Sequence, residues 1–460
     1  MMRLAEAAAA LGGQYLGRDV LFSGVSTDSR ALRGGDLFVA LRGERFDGHA
    51  FLDAVKAGGA AAAIIDRMHV GIAPLPAIVV KDTRLALGDL ASHWRARFHP
   101  ALIGIAGSNG KTTTKEMIAA ILRRHAGEAQ VLATAGNLNN DIGVPLTLLR
   151  LREQHRYCAI ELGMNHRGEI GYLAGIAKPT IALVTNAQRE HLEFMNTVDE
   201  VAAENAAVYG ALPIDGVAVV NADDQHAPVF RAAATPRSIL GFALEGGAGA
   251  RQAEVLGGYT LKQLLSEVRL RTPAGTATAT LGIPGLHNVR NALAAAACAH
   301  AAGIPPATIR TGLEDFRPYV GRLQVKRAPN GVTVIDDSYN ANPDSVRAAI
   351  DVLAACRPPT VLVLGDMGEV GDRGPEFHRE VGRYARCKGV TVLLAIGEAT
   401  RDTVEAFGAT GSHASSIDDL IELTRTRAAP RATLLIKGSR FMRMERVVAA
   451  LLGATVQGEH

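Results

Sequence analysis

Cysteine is scarce: the 460-residue chain has four, Cys158, Cys298, Cys356 and Cys387, far apart and without a Cys-x-x-Cys pair or metal-ligand spacing. That argues against a disulfide scaffold or a cysteine metal cluster and predicts free thiols in a reducing, cytoplasmic compartment. Long apolar runs are missing too. No stretch approaches the roughly 20 residues that span a bilayer, and the nearest, 292–304, is mostly alanine and is interrupted by His300. The first 20 residues carry Glu6 and lack a basic start followed by a continuous apolar segment, so they do not read as a signal peptide. A soluble protein without stable membrane insertion is expected. Charge of one sign is not in surplus: 49 Lys+Arg against 46 Asp+Glu leave +3. So small an imbalance gives no long-range field for gripping a polyanion, and nucleic-acid binding is not expected.

What is present is ordinary globular composition, 48% hydrophobic and 21% charged. The length suggests about three domains. Residues 1–98 read as a small α/β unit, with helices over 4–11, 51–58 and 84–98 and short apolar strands at 36–41 and 77–80. Residues 99–315 begin with a strand at 101–106 that runs into a glycine-rich loop and an apolar-periodic helix over 112–125. Strand-like runs at 158–162, 180–184 and 216–220 alternate with helices, the pattern of a mainly parallel, doubly wound sheet. Residues 240–283 are Gly- and Thr-rich with alternation, which predicts antiparallel strands, and 287–303 reads as a helix. Residues 316–460 repeat the α/β pattern, with strands at 332–335, 360–364, 391–396 and 432–436. The fold class is therefore α/β, in three units.

The most specific local signal is Gly104-Ile-Ala-Gly107-Ser108-Asn109-Gly110-Lys111-Thr112-Thr113. Small residues let a backbone fold around phosphate oxygens, and successive N–H groups with a helix N-terminus supply positive charge. Lys111 would reach the outer phosphates, and the Thr112 hydroxyl would sit on Mg²⁺. The standard phosphate loop carries glycine at the position held here by Ile105, so this is a shortened variant. Glu161 and His191 each follow a predicted strand, where open sheets build ligand sites. Taken singly, Glu161 is a solvated charge and His191 a satisfied surface histidine; their placement beside the loop makes both candidate Mg²⁺ ligands, imidazole being unusual for so hard a cation. Three amide-rich runs, 134–143, 287–291 and 336–343, carry more Asn and Gly than packing explains and suggest polar recognition surfaces.

Gly107-Ser-Asn-Gly-Lys-Thr-Thr113, Glu161-x-Gly-x-Asn165, His191, His287-Asn288-x-x-Asn291, Gly321-Arg322 and Asp337-Ser-Tyr-Asn-Ala-Asn-Pro343 together resemble the Mur ligase family, the ATP-dependent amide-forming enzymes of peptidoglycan precursor synthesis. The resemblance spans about residues 26–445. It implies a UDP-substrate domain, a central ATPase and a C-terminal Rossmann-like domain. It also implies ATP and Mg²⁺ as cofactors and an acyl-phosphate route. Within the family, Ser338-Tyr-Asn-Ala-Asn-Pro343 and Lys437-Gly-Ser-Arg440 look like the branch that adds D-alanyl-D-alanine to UDP-MurNAc-tripeptide. The alternatives are the branch that adds the third residue, diaminopimelate or lysine, a folylpolyglutamate synthetase, or a regulatory ATP-binding module without ligase activity.

The same resemblance implies roles. Lys111 and the amides of Gly107, Ser108, Asn109, Gly110 and Thr113 would hold the phosphates. Thr112 and Glu161 would hold one Mg²⁺, and His191 would serve a second. Asn288 and Asn291 would lie by the adenine, Arg322 by the γ-phosphate, and Asp337 and Asn340 by the ribose. Ser29 and Arg30 would meet the uridine, Asn139 and Asn140 the donor, and Lys437, Ser439 and Arg440 the acceptor carboxylate. A monomer is expected. One departure stands out: many relatives carry a carbamylated lysine where this chain has Asn205, and there is no lysine between Lys178 and Lys262. A second metal site would then lose an anionic ligand unless Glu204 or water compensates.

Overall fold

Three main sheets organise the chain in the computed structural model, which describes residues 1–44 and 46–453. The last seven residues of the expected third unit lie outside that range. The first sheet has five strands in the order Gln14–Leu16, Ala77–Val80, Ala62–Asp66, Leu37–Val39 and Val25–Ser26, parallel except at the Gln14–Leu16 edge. The third has six, in the order Gln324–Arg327, Thr333–Asp337, Thr433–Lys437, Thr360–Gly365, Val392–Ile396 and Gly411–Ala414; only the first pair is antiparallel.

The central sheet has nine strands. Ala101–Ala106 lies inside it, flanked in parallel by Tyr157–Glu161 and Ile181–Val184. Strands covered on both faces read as continuous apolar runs, and Leu102, Ile103, Ile105 and Ala106 are all buried. The expected antiparallel region starts later than its composition implied. Ser238–Leu244 still pairs in parallel with both neighbours, and only Val255–Lys262, Leu265–Thr272 and Gly275–Leu281 form antiparallel hairpins.

The helix Lys111–Ala126 packs Met117, Ile118, Ile121 and Leu122 into the core. Each such burial stabilises by roughly 1.5–3 kcal/mol. The alanine-rich stretch belongs to the helix Leu286–Ala301, buried from Ala292 to Ala299 against the central sheet and Lys111–Ala126. Small side chains let it approach both closely. Among the described residues no helix is long and apolar enough to cross a membrane.

Candidate active site

Because neighbouring strands run the same way, their C-terminal ends open on one edge. Glu161 stands beside Ile105, and Val184 beside Ala106. Ile105 is still a fully buried strand residue, which is why the loop is short. Gly107 has φ +124°, and a Cβ there would lie 2.1 Å from Thr185 Oγ1; at Gly110, φ +84°, it would lie 2.3 Å from Asn291 Oδ1. Only glycine fits either place.

The loop is held from behind. Gly107 N donates to Asn205 Oδ1 (2.6 Å), Ser108 N to the Asn186 carbonyl (2.9 Å) and Asn109 N to Asn186 Oδ1 (2.9 Å). These three amides are therefore engaged by protein, contrary to the expectation that they cradle phosphate. Ser108, Asn109 and Gly110 still line the cleft, together with Lys111, Thr112 and Thr113 at the helix start, where first-turn N–H groups have no intrahelical acceptor. Asn205 does not face a metal site: it props Gly107 and donates to the Val201 carbonyl. Nor does Glu204 compensate, since its oxygens accept from Gly168 N and Ile170 N at the start of another helix.

Glu161 is buried, not solvated. Its Oε1 accepts from Thr112 Oγ1 (3.1 Å) and Asn139 Nδ2 (2.9 Å), while the equally buried Oε2 has no partner. A buried carboxylate oxygen without a donor is costly, and a carboxylate beside a hydroxyl is a fitting donor set for a hard cation such as Mg²⁺. Glu161 N donates to Thr134 Oγ1 (3.0 Å), and the fully buried Lys115 donates to the Thr134 carbonyl (2.8 Å), tying helix, strand and the Asn139 loop together. Asn140 caps the following turn through Gly143 N (2.8 Å) at the cleft margin.

Lys111 Nζ donates to the carbonyls of Gly107 (2.5 Å) and Ser108 (3.0 Å) and lies 3.4 Å from both oxygens of Glu190. His191 is set between two carboxylates, Nε2 3.5 Å from Glu190 and Nδ1 2.6 Å from Glu369. Burial opposes a charge on this ring, but the hydrogen bonds and negative charge of Glu190 and Glu369 outweigh it and raise its pKa to about 9. His191 lines the same cleft as Lys111, Thr112 and Glu161. Glu190 and Glu369 were missed in the sequence. Adjacency to His191 was the one signal for the former, and nothing local marked the latter.

The third domain closes the cleft, which has a volume of about 1390 Å³. Arg322 lies over the Tyr339 ring at 4.2 Å, lines the cleft and has a buried, unpartnered Nε. Asn342 and Asn109 exchange side-chain hydrogen bonds (2.9 and 3.3 Å), joining third domain and loop directly. Asn288 donates to the Pro284 carbonyl and accepts from Asn291, whose amide backs Gly110; the pair supports the loop from the helix Leu286–Ala301.

Lys437 does not stand free for an acceptor carboxylate. Its Nζ donates to Asp337 Oδ2 (2.6 Å) and the Asn340 carbonyl (2.9 Å). Burial pushes Asp337 up and Lys437 down from their ordinary pKa values, and their contact offsets this in part. Asp337 also accepts from Leu323 N (3.2 Å), so a ribose would have to compete for it. Ser439 Oγ donates to the Ala341 carbonyl and accepts from Gly368 N, fixing loops. Of that trio only Arg440 is exposed, near Glu445 (3.2 Å). Arg440 and Asn340 line a smaller cavity of about 370 Å³ with Glu190, His191, Gly368 and Phe441.

Ser29 and Arg30 lie outside the large cleft, and Arg30 is bound to its neighbour Asp28 through two hydrogen bonds of 3.0 Å. Arg84 and Asp141 instead connect the first domain to the central one along the cleft wall. In the first domain Asp47, His49 and His69 converge. Both His49 nitrogens are already engaged, Nδ1 with Asp47 (2.6 Å) and Nε2 accepting from Asp66 N (3.1 Å), so this cluster closes a turn.

Family models match along the chain: the Mur ligase catalytic domain at 21–95, the Mur ligase middle domain at 105–299 and the Mur ligase, glutamate ligase domain at 321–440. The UDP-N-acetylmuramoyl-tripeptide–D-alanyl-D-alanine ligase of Escherichia coli K12 is 39% identical over 444 residues, covering 96% of each chain. The Bacillus subtilis 168 enzyme of the same name is 32% identical, covering 93% of each. Among solved structures, MurF from Acinetobacter baumannii superposes with a TM-score of 0.89 at 36% identity over 98% of both chains. A Thermotoga maritima MurF ligase in complex with ADP gives 0.81 at 26% identity, over 95% of this chain and 99% of that one. With three α/β domains meeting at one phosphate-loop cleft, and likeness along the whole length, this chain belongs to the Mur ligase family.

Proposed function

We propose that this protein joins D-alanyl-D-alanine to UDP-N-acetylmuramoyl-tripeptide with conversion of ATP to ADP and phosphate, forming the pentapeptide precursor of peptidoglycan. The domain boundaries that go with this reading are 1–98, 99–315 and 316–460. The observation that carries it is one cleft in which Lys111 and the Thr112–Glu161 pair face Arg322, Tyr339 and Asn342 of the third domain. Near full-length likeness to enzymes of that name supports the choice of substrates.

The chemistry explains the layout. A carboxylate is a poor acyl donor because oxide would have to leave. Transfer of the γ-phosphoryl group to the tripeptide's terminal carboxylate makes a mixed anhydride and releases ADP. The dipeptide amine attacks the acyl carbon, loses a proton, and phosphate departs from the tetrahedral intermediate. Two anions must therefore be brought together and water kept from the anhydride. Lys111 and the start of its helix offset the phosphate charge, and Arg322 adds a cation from the third domain. Thr112 and Glu161 would hold Mg²⁺, which neutralises phosphate oxygens when bound. The smaller cavity, with Arg440 at its wall, is the place for the acceptor dipeptide. All these residues come from one chain, consistent with a monomer acting in the cytoplasm.

The test is phosphate release with ATP, the diaminopimelate or lysine form of the UDP-tripeptide, and a panel of acceptors. D-alanyl-D-alanine should trigger turnover with at least one donor. Release driven by free diaminopimelate, lysine or glutamate instead would overturn the assignment, as would slow ATP hydrolysis indifferent to every UDP-muropeptide.

A further inference from the structure

The helix Lys111–Ala126 carries a second lysine, Lys115, that is fully buried and that no step of the proposed reaction uses. Taking an ammonium out of water costs free energy that an apolar side chain of similar length would not. What it supplies is directed N–H donors. Its Nζ donates to Glu116 Oε1 (2.5 Å) and to the Thr134 carbonyl (2.8 Å), and it lies 5.7 Å from the centre of the Tyr319 ring. Thr134 and Tyr319 belong to different segments, each of which delivers a side chain to the cleft. Thr134 opens the loop that leads to Asn139; its Oγ1 accepts from Glu161 N (3.0 Å), and Asn139 Nδ2 donates to Glu161 Oε1 (2.9 Å). Tyr319 stands in 316–323, between the helix Pro306–Asp315 and the strand Gln324–Arg327, where the chain passes from the central domain to the third. Its carbonyl accepts from Arg322 N (3.0 Å), so Tyr319 and Arg322 share one turn. The two segments also meet: Gly136 has φ +55°, and a Cβ there would lie 3.4 Å from Tyr319 Oη.

We propose that Lys115 is a positioning residue for phosphoryl transfer: from the core it fixes the Asn139 loop and the Arg322 turn relative to each other. Transfer needs a carboxylate oxygen of the donor and the γ-phosphorus brought close and in line. Asn139 and Glu161 belong to one half of that arrangement, and Arg322 to the other. Each half keeps its own support without Lys115, since Thr134 is still bonded to Glu161 N and the Tyr319–Arg322 turn closes on itself. What goes is the common anchor. Both substrates then bind, but the groups that must be aligned are free to drift apart. Lys115 thus acts through Thr134 and Tyr319 and touches neither substrate.

This inference rests on the ligase reading above. Full-length protein, Lys115→Met, Tyr319→Leu and their double would be compared by phosphate release with ATP, UDP-tripeptide and D-alanyl-D-alanine. Calorimetry with the non-hydrolysable analogue AMP-PNP and Mg²⁺ counts the binding-competent fraction of each. Glu116 is partly exposed and regains water when the lysine is lost, so Lys115→Met leaves no buried charge behind. Each single variant should lower kcat by roughly 10- to 100-fold, the scale of a small misplacement of reacting groups. The KM for ATP and the stoichiometry of analogue binding should not change. The double variant should be no slower than the slower single, because both changes remove one contact. An unaltered kcat in Lys115→Met overturns the proposal, as does a loss of rate matched by a loss of binding stoichiometry, which a merely structural role would give. Losses that multiply in the double variant also overturn it. All three outcomes leave the ligase reading intact, whereas unaltered protein without phosphate release dependent on D-alanyl-D-alanine overturns both. Should Lys115→Met not fold, Tyr319→Leu reads the same arm, and a normal kcat there overturns the proposal.

Discussion

Lys111 crosses its own loop to two carbonyls and faces a carboxylate, so its ammonium is held at the phosphate end of the cleft. Lys111→Ala should lower turnover by at least about 10²-fold, the scale of losing a preorganised charge-stabilising donor, with an unchanged melting curve; unaltered rates would contradict the phosphate-loop role. Asn205 has no amine to carbamylate, and its side chain is occupied under Gly107. Turnover should therefore not respond to removal of bicarbonate, and a strong bicarbonate requirement would contradict this. His191 makes a pH prediction. Its folded pKa, about 9, lies above the ordinary value of 6.5, so it stabilises the folded, docked state fully below pH 6.5. That contribution fades as pH rises through about 9. Melting temperature should fall across this window, and the fall should flatten in Glu369→Gln, which removes one of the two carboxylates.

At the scale of elements, the short phosphate loop follows from the strand before it. Ile105 remains in the sheet with its side chain in the core, so the turn has only the residues from Gly107 to Gly110 before Lys111 starts the helix. The turn works because Thr185 and Asn291 press where side chains would otherwise stand. Gly107→Ala combines a positive φ with a 2.1 Å approach to Thr185 Oγ1. It should cost about 1–3 kcal/mol or more in stability, read by denaturant unfolding, and weaken nucleotide binding; a fully stable variant would refute the tight packing described. This element was legible in advance because glycines, lysine and threonines occur at fixed spacing between an apolar run and a helical period. The role of the amides was not, since whether a loop N–H faces a ligand or the protein depends on Asn186 and Asn205, some 80 to 100 residues away.

For the whole molecule, the site exists only where domains meet. Asn109 with Asn342 and Arg189 with Asp344 and Glu380 join the central and third domains across sequence separations of 155 to 233 residues. Arg189→Gln should raise the radius of gyration of the unliganded protein measured by small-angle scattering, with a larger rise at low salt, where the lost ion pairs matter most; an unchanged profile would remove Arg189 from the docking surface. Strand and helix periodicity, turn glycines and ordered motifs were enough to indicate three α/β domains, the phosphate loop and Glu161, because each depends on residues near in sequence. The partners of Lys437, the exclusion of Ser29 and Arg30 from the cleft, the support given by Asn205 and the Glu190–His191–Glu369 row were settled only by tertiary packing. Local pattern determines which element a residue joins. Which charge it meets depends on chain segments brought together from far apart, and it is the buried, poorly screened meetings of that kind that set the chemistry of this site.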